Sequence, residues 1–336
     1  MTYRSPKTSK PVVALLVVAF MVTGWSWGPA PATSDAPAST PARTTDDESS
    51  GPPPIITDGD VMVAVGGDIA CDPSSAYFNA GLGLDDQCRH KATSDLLLEA
   101  DYDAVLTVGD NQYEGGTLEA FQESYDPTWG RVKDITRPTL GNHEYRVEGA
   151  AGYFDYFGDG AGIRGEGWYS FDLGTWHVIA LNSNCVEVGG CDRYSPQGAW
   201  LRNDLASHTN DCTLAYWHHP RFSSGRHGSD LSVRPLFQIL YRRGVDVVTA
   251  GHDHFYERFA PQTPRGELDR AGGVRQFVVG TGGKSHYEFD TPMPNSKFRD
   301  GSHHGILRLR LRLNDYRWRF IGIHGVTRDK GTTDCS

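Results

Sequence analysis

The sequence predicts an α/β fold, and two observations carry this prediction. Short apolar runs of strand length alternate along the chain with segments of helical periodicity. Several apolar runs end in a glycine followed by aspartate, asparagine or histidine, as expected where a buried strand meets a loop with polar side chains. With 336 residues, 38% of them apolar, the chain can bury a sizeable core.

The first 57 residues precede this alternating pattern. Basic residues within positions 1–10 are followed by an uncharged apolar run at 11–22, and Ala30-Pro31-Ala32 offers a small-x-small cleavage site. We therefore predict a signal peptide over residues 1–32 and a secreted or extracytoplasmic chain; an uncleaved membrane anchor is the alternative. Residues 33–57 are rich in Pro, Ala, Ser and Thr, which predicts a linker that does not fold by itself.

The predicted elements begin with a strand at 61–65, whose end, Gly66-Gly67-Asp68, allows a sharp turn that exposes a carboxylate. Two apolar runs separated by Gly174 predict a hairpin, and Pro196 fits the start of a helix. In chain order, the other predictions are a helix at 91–100, a strand at 104–108, a helix at 118–124, a strand at 137–140, the hairpin at 168–173 and 176–181, a helix at 196–206, a strand at 213–217, a helix at 231–242, and strands at 245–249 and 275–279.

A second hairpin is predicted near the C-terminus. Leucines at 307, 309, 311 and 313 alternate with arginines, and the alternation resumes after Asn314-Asp315 with Tyr316, Trp318 and Phe320. A period of two gives the hairpin one apolar face and one arginine face. We interpret the arginine face as part of a solvated sheet edge protected by charge; binding of an anionic partner is the alternative.

The six cysteines lie at positions 71, 88, 185, 191, 212 and 335 and form no Cys-x-x-Cys pair. In an exported chain they predict up to three disulfides. Fifteen pairings are compatible with the sequence. The first choice pairs the sequence neighbours, Cys71 with Cys88 and Cys185 with Cys191, which leaves Cys212 for Cys335.

Five polar blocks, each after an apolar run, form the candidate functional site. They are Gly67-Asp68, Gly109-Asp110-Asn111-Gln112-Tyr113, Gly141-Asn142-His143-Glu144, His218-His219-Pro220 and Gly251-His252-Asp253-His254. An aspartate at a strand end can offer its two oxygens to two cations, and a tyrosine three residues later can add a phenolate. Gly-Asp-Asn alone is also a common turn signal, so the set of blocks, rather than any single block, indicates a two-metal site.

In this order the blocks resemble those of the metallophosphoesterases, the calcineurin-like superfamily, and Tyr113 makes them similar to the purple acid phosphatase branch. The resemblance spans roughly residues 61–254. In the first block Ala70 stands where the wider superfamily has a histidine, and Tyr113 would supply the missing ligand. The register of the fourth block is open between His218 and His219; we choose His218 because the His-x-Pro pattern then falls where the family has it.

The resemblance implies an αββα sandwich of two mixed β-sheets flanked by helices over residues 58–328, with 329–336 as a C-terminal tail that carries Cys335. It also implies two metal ions. Asp68, Asp110, Tyr113 and His254 would hold the first, and Asp110, Asn142, His218 and His252 the second. A hard phenolate suits Fe³⁺ at the Tyr113 site, and the other site is open to Fe²⁺, Zn²⁺ or Mn²⁺.

Other polar residues, some in the blocks and some outside them, have expected roles that do not include metal ligation. His143 is expected to bind phosphate oxygens or protonate the leaving group, with Glu144 orienting it. His227 resembles in position a pocket histidine of purple acid phosphatases and is a candidate catalytic acid; a mobile surface loop is the alternative. His219 and His286 are candidates for supporting a ligand or contacting substrate.

The function implied is that of an exported phosphatase that hydrolyses phosphate monoesters by in-line attack of a metal-activated water. A phosphodiesterase or nucleotide phosphohydrolase using the same site is one alternative. A non-catalytic cell-surface binding protein of the same fold is another, although such a protein would be expected to have lost ligands. With 42 acidic against 32 basic residues and a net charge of −10, we expect no nucleic-acid partner. We also expect no membrane contact after signal cleavage; the sequence leaves the oligomeric state open.

Overall fold

The computed structural model describes residues 59–336. The predicted signal peptide, with its cleavage motif Ala30-Pro31-Ala32, and the predicted linker at 33–57 lie outside the described residues. Within the described range, no helix combines the length and apolar content needed to cross a bilayer.

The described residues form strands and helices in a mixed order. The strands are β1 (Val61–Gly66), β2 (Ala104–Val108), β3 (Thr136–Thr139), β4 (Tyr169–Leu173), β5 (Trp176–Ala180), β6 (Cys212–Tyr216), β7 (Val247–Ala250), β8 (Tyr256–Phe259), β9 (Arg275–Val279), β10 (Ser296–Asp300), β11 (Gly305–Leu311), β12 (Asp315–Gly322) and β13 (Val326–Asp334). The α-helices are α1 (His90–Leu96), α2 (Leu118–Ala120), α3 (Ala151–Phe157), α4 (Pro196–Ser207) and α5 (Arg234–Arg242).

The strands build two mixed sheets. One has the order β13-β12-β11-β1-β2-β3 and the other β10-β8-β9-β7-β6-β5-β4. In the first sheet β1, β2 and β3 are parallel neighbours, and in the second sheet β5, β6, β7 and β9 are. Parallel strands end at the same edge of a sheet, so each sheet presents a row of carboxyl ends.

The two sheets pack face to face through one apolar cluster. Val63 and Leu106 of the first sheet belong to the same buried cluster as Val178 and Leu214 of the second. A separate cluster, which includes residues of α1 and α3, covers the outer face of the first sheet, and another, which includes residues of α4 and α5, covers that of the second. The predicted αββα sandwich is confirmed.

Most predicted elements are confirmed to within a few residues, including the hairpin β4–β5, whose strands pair antiparallel. The helix predicted at 91–100 ends at Leu96, and the one predicted at 118–124 continues beyond α2 as a π-helical turn, Phe121–Tyr125. The strands β8, β10 and β13 were not predicted. In β10 and β13 polar residues predominate, so neither has the apolar alternation that marks a half-buried strand.

The C-terminal hairpin is confirmed as the antiparallel pair β11–β12, with its apolar face in the core between the sheets. The predicted edge position is wrong, because β1 pairs with β11 on one side and β13 pairs with β12 on the other. The segment 329–336 is not a separate tail either. Most of it belongs to β13, and Cys335 is bonded to Cys212 at the start of β6 in the opposite sheet.

The three disulfides are those of the first choice: Cys71–Cys88, Cys185–Cys191 and Cys212–Cys335. The third joins the end of the first sheet to the second. It therefore closes the sandwich at the side where β6 begins.

One buried histidine lies far from the five blocks in sequence and is held by two carboxylates. The Nδ1 atom of His177, in β5, lies 3.0 Å from Asp172 Oδ1, and its Nε2 lies 2.8 Å from Asp204 Oδ2. Burial opposes the charged imidazolium, but the hydrogen bonds and charges of Asp204 and Asp172 outweigh it and raise the pKa of His177. The imidazole is therefore stabilised in its charged form.

We predict that Asp204→Asn lowers the free energy of unfolding by about 1–3 kcal/mol near about pH 6, because the buried imidazolium loses a charged partner. The native pKa of His177 is raised above the unfolded value of about 6.5. The stabilisation is thus fully present below that pH and is lost as the pH rises through the native pKa. Urea denaturation across this range measures the effect.

Ser170 Oγ donates to the other oxygen of Asp204, at 2.6 Å, so Ser170→Ala serves as the control. It removes a neighbouring hydrogen bond without touching the imidazole, and its effect is expected to be independent of pH. An effect of Asp204→Asn that is equally large in mildly acidic and in alkaline solution would contradict the assignment.

Candidate metal centre

The predicted ligands lie where the carboxyl ends of the two sheets meet. Asp68 follows β1, Asp110 follows β2 and Asn142 follows β3, all in the first sheet. His218 follows β6 and His252 follows β7 in the second sheet. Because the sheets pack face to face with these ends together, residues separated by as many as 184 positions come into hydrogen-bond contact. The site is thus built between the sheets.

The backbone at the strand ends turns sharply to bring these side chains together. Asp68, Asp110 and His252 have φ values of 59°, 47° and 73°, in the left-handed region that non-glycine residues seldom occupy. Gly141 has a different reason to be glycine, because a Cβ there would lie 2.1 Å from Asp110 Oδ1. The third block can therefore approach the second closely only without a side chain at this position.

The first donor set converges on the phenol oxygen of Tyr113. This oxygen lies 2.8 Å from Asp68 Oδ1, 2.9 Å from Asp110 Oδ2 and 3.0 Å from His254 Nε2. His254 Nε2 also lies 3.3 Å from Asp68 Oδ1. These are the four donors expected at the first metal, and the structure gathers the other three around the Tyr113 hydroxyl.

The second donor set converges on Nε2 of His218. This nitrogen lies 3.1 Å from Asn142 Oδ1, 3.2 Å from His252 Nδ1 and 3.3 Å from Asp110 Oδ2. The other ring nitrogen of His218 donates to the Val108 carbonyl at 2.9 Å, so Nε2 is the nitrogen that faces the rest of the set. The four donors expected at the second metal are thus also brought together.

Asp110 Oδ2 belongs to both sets. It contacts the Tyr113 hydroxyl at 2.9 Å and His218 Nε2 at 3.3 Å. The other oxygen of the same carboxylate, Oδ1, accepts the backbone N–H of His143 at 2.9 Å, which fixes the carboxylate plane. Asp110 therefore stands at the position that a bridging ligand would occupy.

The two histidines of the fourth block face different partners. His218 makes the contacts with Asp110 and Asn142, whereas His219 Nδ1 lies 2.8 Å from Ser183 Oγ. The His219 ring is nevertheless close to the second set, with its centroid 4.6 Å from that of His252. The geometry agrees with the chosen register, and the ligand roles themselves stay predictions.

Glu144 has a different partner from the one expected. It does not orient His143; its buried carboxylate accepts the backbone N–H groups of Gly141, Asp110, Asn111 and Gln112 at 2.6, 3.1, 2.8 and 3.3 Å. Burial, and then the Asp110 charge, raise the pKa of Glu144 to about 7. Cations bound beside Asp110 would relieve this repulsion.

His143 faces the centre from the other side of the same loop. Its Nδ1–H donates to the Glu114 carbonyl at 2.7 Å, and its Nε2 accepts from Arg146 Nη2 at 3.2 Å. This Nε2 lies 3.8 Å from Asp110 Oδ2. His143 is thus oriented by Glu114 and Arg146, with one ring nitrogen directed at the edge of the donor sets.

His227 and His286 occupy unlike positions. The His227 ring lies 4.5 Å from the His252 ring, and its Nδ1 lies 3.0 Å from Asp253 Oδ1, so it stands beside the second donor set. His286 does not: its side chain faces Asp86 and His304. The expectation that His286 supports a predicted ligand or contacts substrate stays a prediction.

The sequence reasoning singled out His286 but missed its two neighbours, Ser285 and Tyr287, which hold His254. Ser285 Oγ lies 2.9 Å from His254 Nδ1, and the Tyr287 ring stacks on the His254 ring with centroids 3.9 Å apart. Both residues follow the glycine-rich turn after β9. Since that strand ends at the same edge as β6 and β7, the turn was a usable signal.

The electrostatics of the first donor set favour a cation. Burial, and then the charges of Asp110 and Asp68, hold the pKa of Tyr113 well above its usual value. Without a cation the phenol keeps its proton between the two carboxylates. A cation replacing that proton would be surrounded by three oxygens and one nitrogen, so the chemistry of the donor set fits a hard metal ion.

Comparison with known proteins agrees with this geometry. A family model described as calcineurin-like phosphoesterase matches residues 63–256 of the 336, which include all five polar blocks. The chain belongs to the calcineurin-like phosphoesterase family. Within the family it is similar to purple acid phosphatase 18 of Arabidopsis thaliana, at 29% identity over 243 residues, or 65% of this chain and 53% of that protein.

Acid phosphatase type 7 of Homo sapiens is 29% identical over 187 residues, which cover 48% of this chain and 41% of that protein. The chain thus spans about half the length, or less, of these two relatives. Among solved structures, purple acid phosphatase PPD1 from yellow lupin (Lupinus luteus) seeds has a TM-score of 0.67 at 19% identity, covering 84% of this chain and 55% of that one.

GAP50, described as the anchor in the inner membrane complex of Plasmodium, has a TM-score of 0.60 at 14% identity, covering 83% of this chain and 90% of that one. At these identities the structural similarities show the shared fold. They place this family member in the metallophosphoesterase architecture that its two sheets and flanking helices display.

We predict that Glu144→Gln destabilises the metal-free protein by about 1–3 kcal/mol, because the amide nitrogen of glutamine would face backbone donors that now share a carboxylate. Metal affinity should fall by about 10- to 100-fold, since the loop that positions Asp110 is no longer held. Chemical denaturation and metal titration measure the two effects.

The exposed Glu148, in the same segment, offers a matched control. Glu148→Gln makes the same chemical change without touching these N–H groups, and we expect wild-type stability and metal content. If Glu144→Gln behaved like this control, the carboxylate would not be what holds the loop.

Proposed function

We propose that this chain is an exported phosphatase that hydrolyses phosphate monoesters at a two-metal centre. The observation that carries the proposal is Asp110 Oδ2, which contacts both donor sets and so stands where a carboxylate would bridge two cations. The names of the relatives, purple acid phosphatase and acid phosphatase, support this activity. The three disulfides support export, because such bonds persist in oxidising compartments.

The residues that would hold the metals are those of the two donor sets. Tyr113, Asp68 and His254 would bind the first ion, Fe³⁺, and Asn142, His218 and His252 would bind the second, Fe²⁺, Zn²⁺ or Mn²⁺, with Asp110 common to both. Bound there, the ions would activate a water for attack and neutralise charge on the phosphoryl oxygens. Every other step falls to side chains around the centre.

We assign to His143 the protonation of the leaving oxygen. Its Nδ1–H is held by the Glu114 carbonyl, so Nε2 is the nitrogen that can carry and deliver a proton. The Arg146 guanidinium donates to the same Nε2. Once Nε2 carries a proton it no longer accepts this hydrogen bond, so the guanidinium must turn to another acceptor, such as a phosphate oxygen. His227, beside His252, is positioned as a further contact for the ester on the opposite side.

The charged side chains around the centre suit an anionic substrate. Lys284 Nζ lies 4.7 Å from the Tyr113 ring centroid, and the Arg226 guanidinium lies 3.8 Å from that of Tyr287. Glu114 pairs with Lys284 and with Arg146, so it holds these cations in place while neutralising part of their charge. A phosphate monoester carries more negative charge than a diester and gains more from these cations, which favours the monoester as substrate.

The test is turnover of a panel of phosphate monoesters, diesters and nucleotides by the purified protein and by Asp110→Asn. We predict hydrolysis of monoesters above the other classes, and loss of at least one metal and nearly all turnover in the variant, because a neutral amide does not bridge two cations. Metal analysis and phosphate release measure the two effects.

Asp101→Asn is the control, since this exposed residue precedes β2 at the opposite end of the strand from Asp110. Faster turnover of diesters or nucleotides would replace the monoester assignment. An inactive wild type with both metals bound would favour a binding protein of the same fold. Full activity of Asp110→Asn with two metals would refute the site.

We predict that the oxidised wild-type protein has a visible absorption band from charge transfer between the Tyr113 phenolate and Fe³⁺, which neither Zn²⁺ nor Mn²⁺ would give. Tyr113→Phe removes the oxygen and keeps the ring, so the band should vanish even where iron stays bound. The exposed Tyr194→Phe should leave it unchanged. A protein with iron in both positions and no such band, under oxidising conditions, would show that Tyr113 is not a ligand.

A further inference from the structure

Two histidines and an aspartate form a separate group that shares no residue with the two donor sets. We call it the third cluster: Asp86, His286 and His304. One ring nitrogen of each histidine and a carboxylate oxygen lie within 4.8 Å of one another. His286 Nε2 lies 3.7 Å from Asp86 Oδ2, and His304 Nε2 lies 3.8 Å from Asp86 Oδ1.

The imidazoles of the third cluster have nitrogens without partners in the protein. His304 is fully buried, and its Nε2–H donates to the Asp86 carbonyl at 2.9 Å, which leaves the Nδ1 lone pair unsatisfied. Both ring nitrogens of His286 are buried without a hydrogen bond. A buried polar atom without a partner costs free energy. These three buried nitrogens, one of His304 and two of His286, would therefore be stabilised by a ligand.

The chemistry of the third cluster matches a borderline transition ion. Zn²⁺ binds histidine nitrogens and carboxylate oxygens at about 2.0–2.2 Å, so its ligand atoms stand about 3.4 Å apart in a tetrahedral site. The 3.7 Å between His286 Nε2 and Asp86 Oδ2 is a few tenths of an ångström longer, and Asp86, 60% exposed, can move inward. Donation from His304 Nε2 to a carbonyl is the contact that typically orients a metal-binding histidine.

The two rings are also in the form that binds metals. Their centroids lie 3.9 Å apart, a distance at which two imidazolium ions would repel. Burial lowers the pKa of His304 to about 3, so this ring is neutral at physiological pH. No proton has to be displaced from it before a cation binds.

We propose that Asp86, His286 and His304 form a third metal site, which binds one Zn²⁺ ion with water completing the coordination. The three ligands come from the loop closed by the Cys71–Cys88 disulfide, the turn after β9, and the residue before β11. His286 lies between Ser285 and Tyr287, the two residues that contact His254. An ion there would brace the segment that holds His254, so its role is structural.

The experiment uses the purified protein, stripped of metal by chelation and titrated with Zn²⁺ alone. Asp110→Asn serves as the background. It weakens Zn²⁺ binding at the two-metal centre, so Zn²⁺ bound at the third cluster can be distinguished from Zn²⁺ bound there. In this background we expect one Zn²⁺ equivalent that is lost on adding Asp86→Ala or His286→Gln. It should remain on adding His303→Gln, which alters a neighbouring histidine that pairs with Asp300 instead.

Thermal unfolding gives a second readout. Zn²⁺ should raise the Tm of the Asp110→Asn protein and of its His303→Gln derivative by more than it raises the Tm of the Asp86→Ala and His286→Gln derivatives. Asp86 is exposed, so its truncation leaves the fold intact and tests the site even if His286→Gln does not fold. If the number of Zn²⁺ equivalents and the Zn²⁺-induced Tm shift are the same with and without Asp86, the third site does not exist, whatever the outcome at the two-metal centre.

Discussion

The Glu144 carboxylate is the contact on which the arrangement of the centre depends. One buried side chain accepts backbone N–H groups from the loop after β2 and the loop after β3, so it joins the two segments that carry Asp110 and Asn142. Buried backbone donors must be satisfied, and here one carboxyl group accepts from four of them. The left-handed turn at Asp110 and the close approach of Gly141 follow from this anchoring.

With that loop fixed, the rest of the centre is a consequence of the sandwich. The first sheet supplies mainly oxygen donors and the second sheet supplies the histidines, and the two meet because the parallel strands of both sheets end at one edge. Asp110 faces across the gap to His218 and along its own side to Tyr113. Two unlike donor sets that share one carboxylate oxygen are what a two-metal hydrolase requires.

The side of the centre formed by His254 is held differently. Its imidazole is fixed by the Ser285 hydroxyl and the Tyr287 ring, both on the segment that follows the turn after β9. The third cluster lies behind that segment, with His286 between the two contacts. The centre is therefore supported on one side by a buried carboxylate and, in our proposal, on the other by a metal ion.

The sequence by itself determined the local features of this protein: the strands with strong apolar alternation, the five polar blocks at their ends, and a first choice of disulfides that the structure confirms. The strands, the blocks and the two short-range disulfides depend on neighbours in the chain, and their patterns can be read directly. Cys212–Cys335 is the pair that those two disulfides leave. Only the tertiary structure decided what depends on distant contacts. The polar strand β13 has no pattern of its own and forms because β12 offers it an edge. Glu144 accepts hydrogen bonds from backbone N–H groups of two loops and does not contact the adjacent His143 imidazole. Several N–H groups together bind a carboxylate more strongly than one imidazole does. His286 contacts Asp86 and His304. Its position is set by the packing of the segment after β9, which no local sequence pattern indicates.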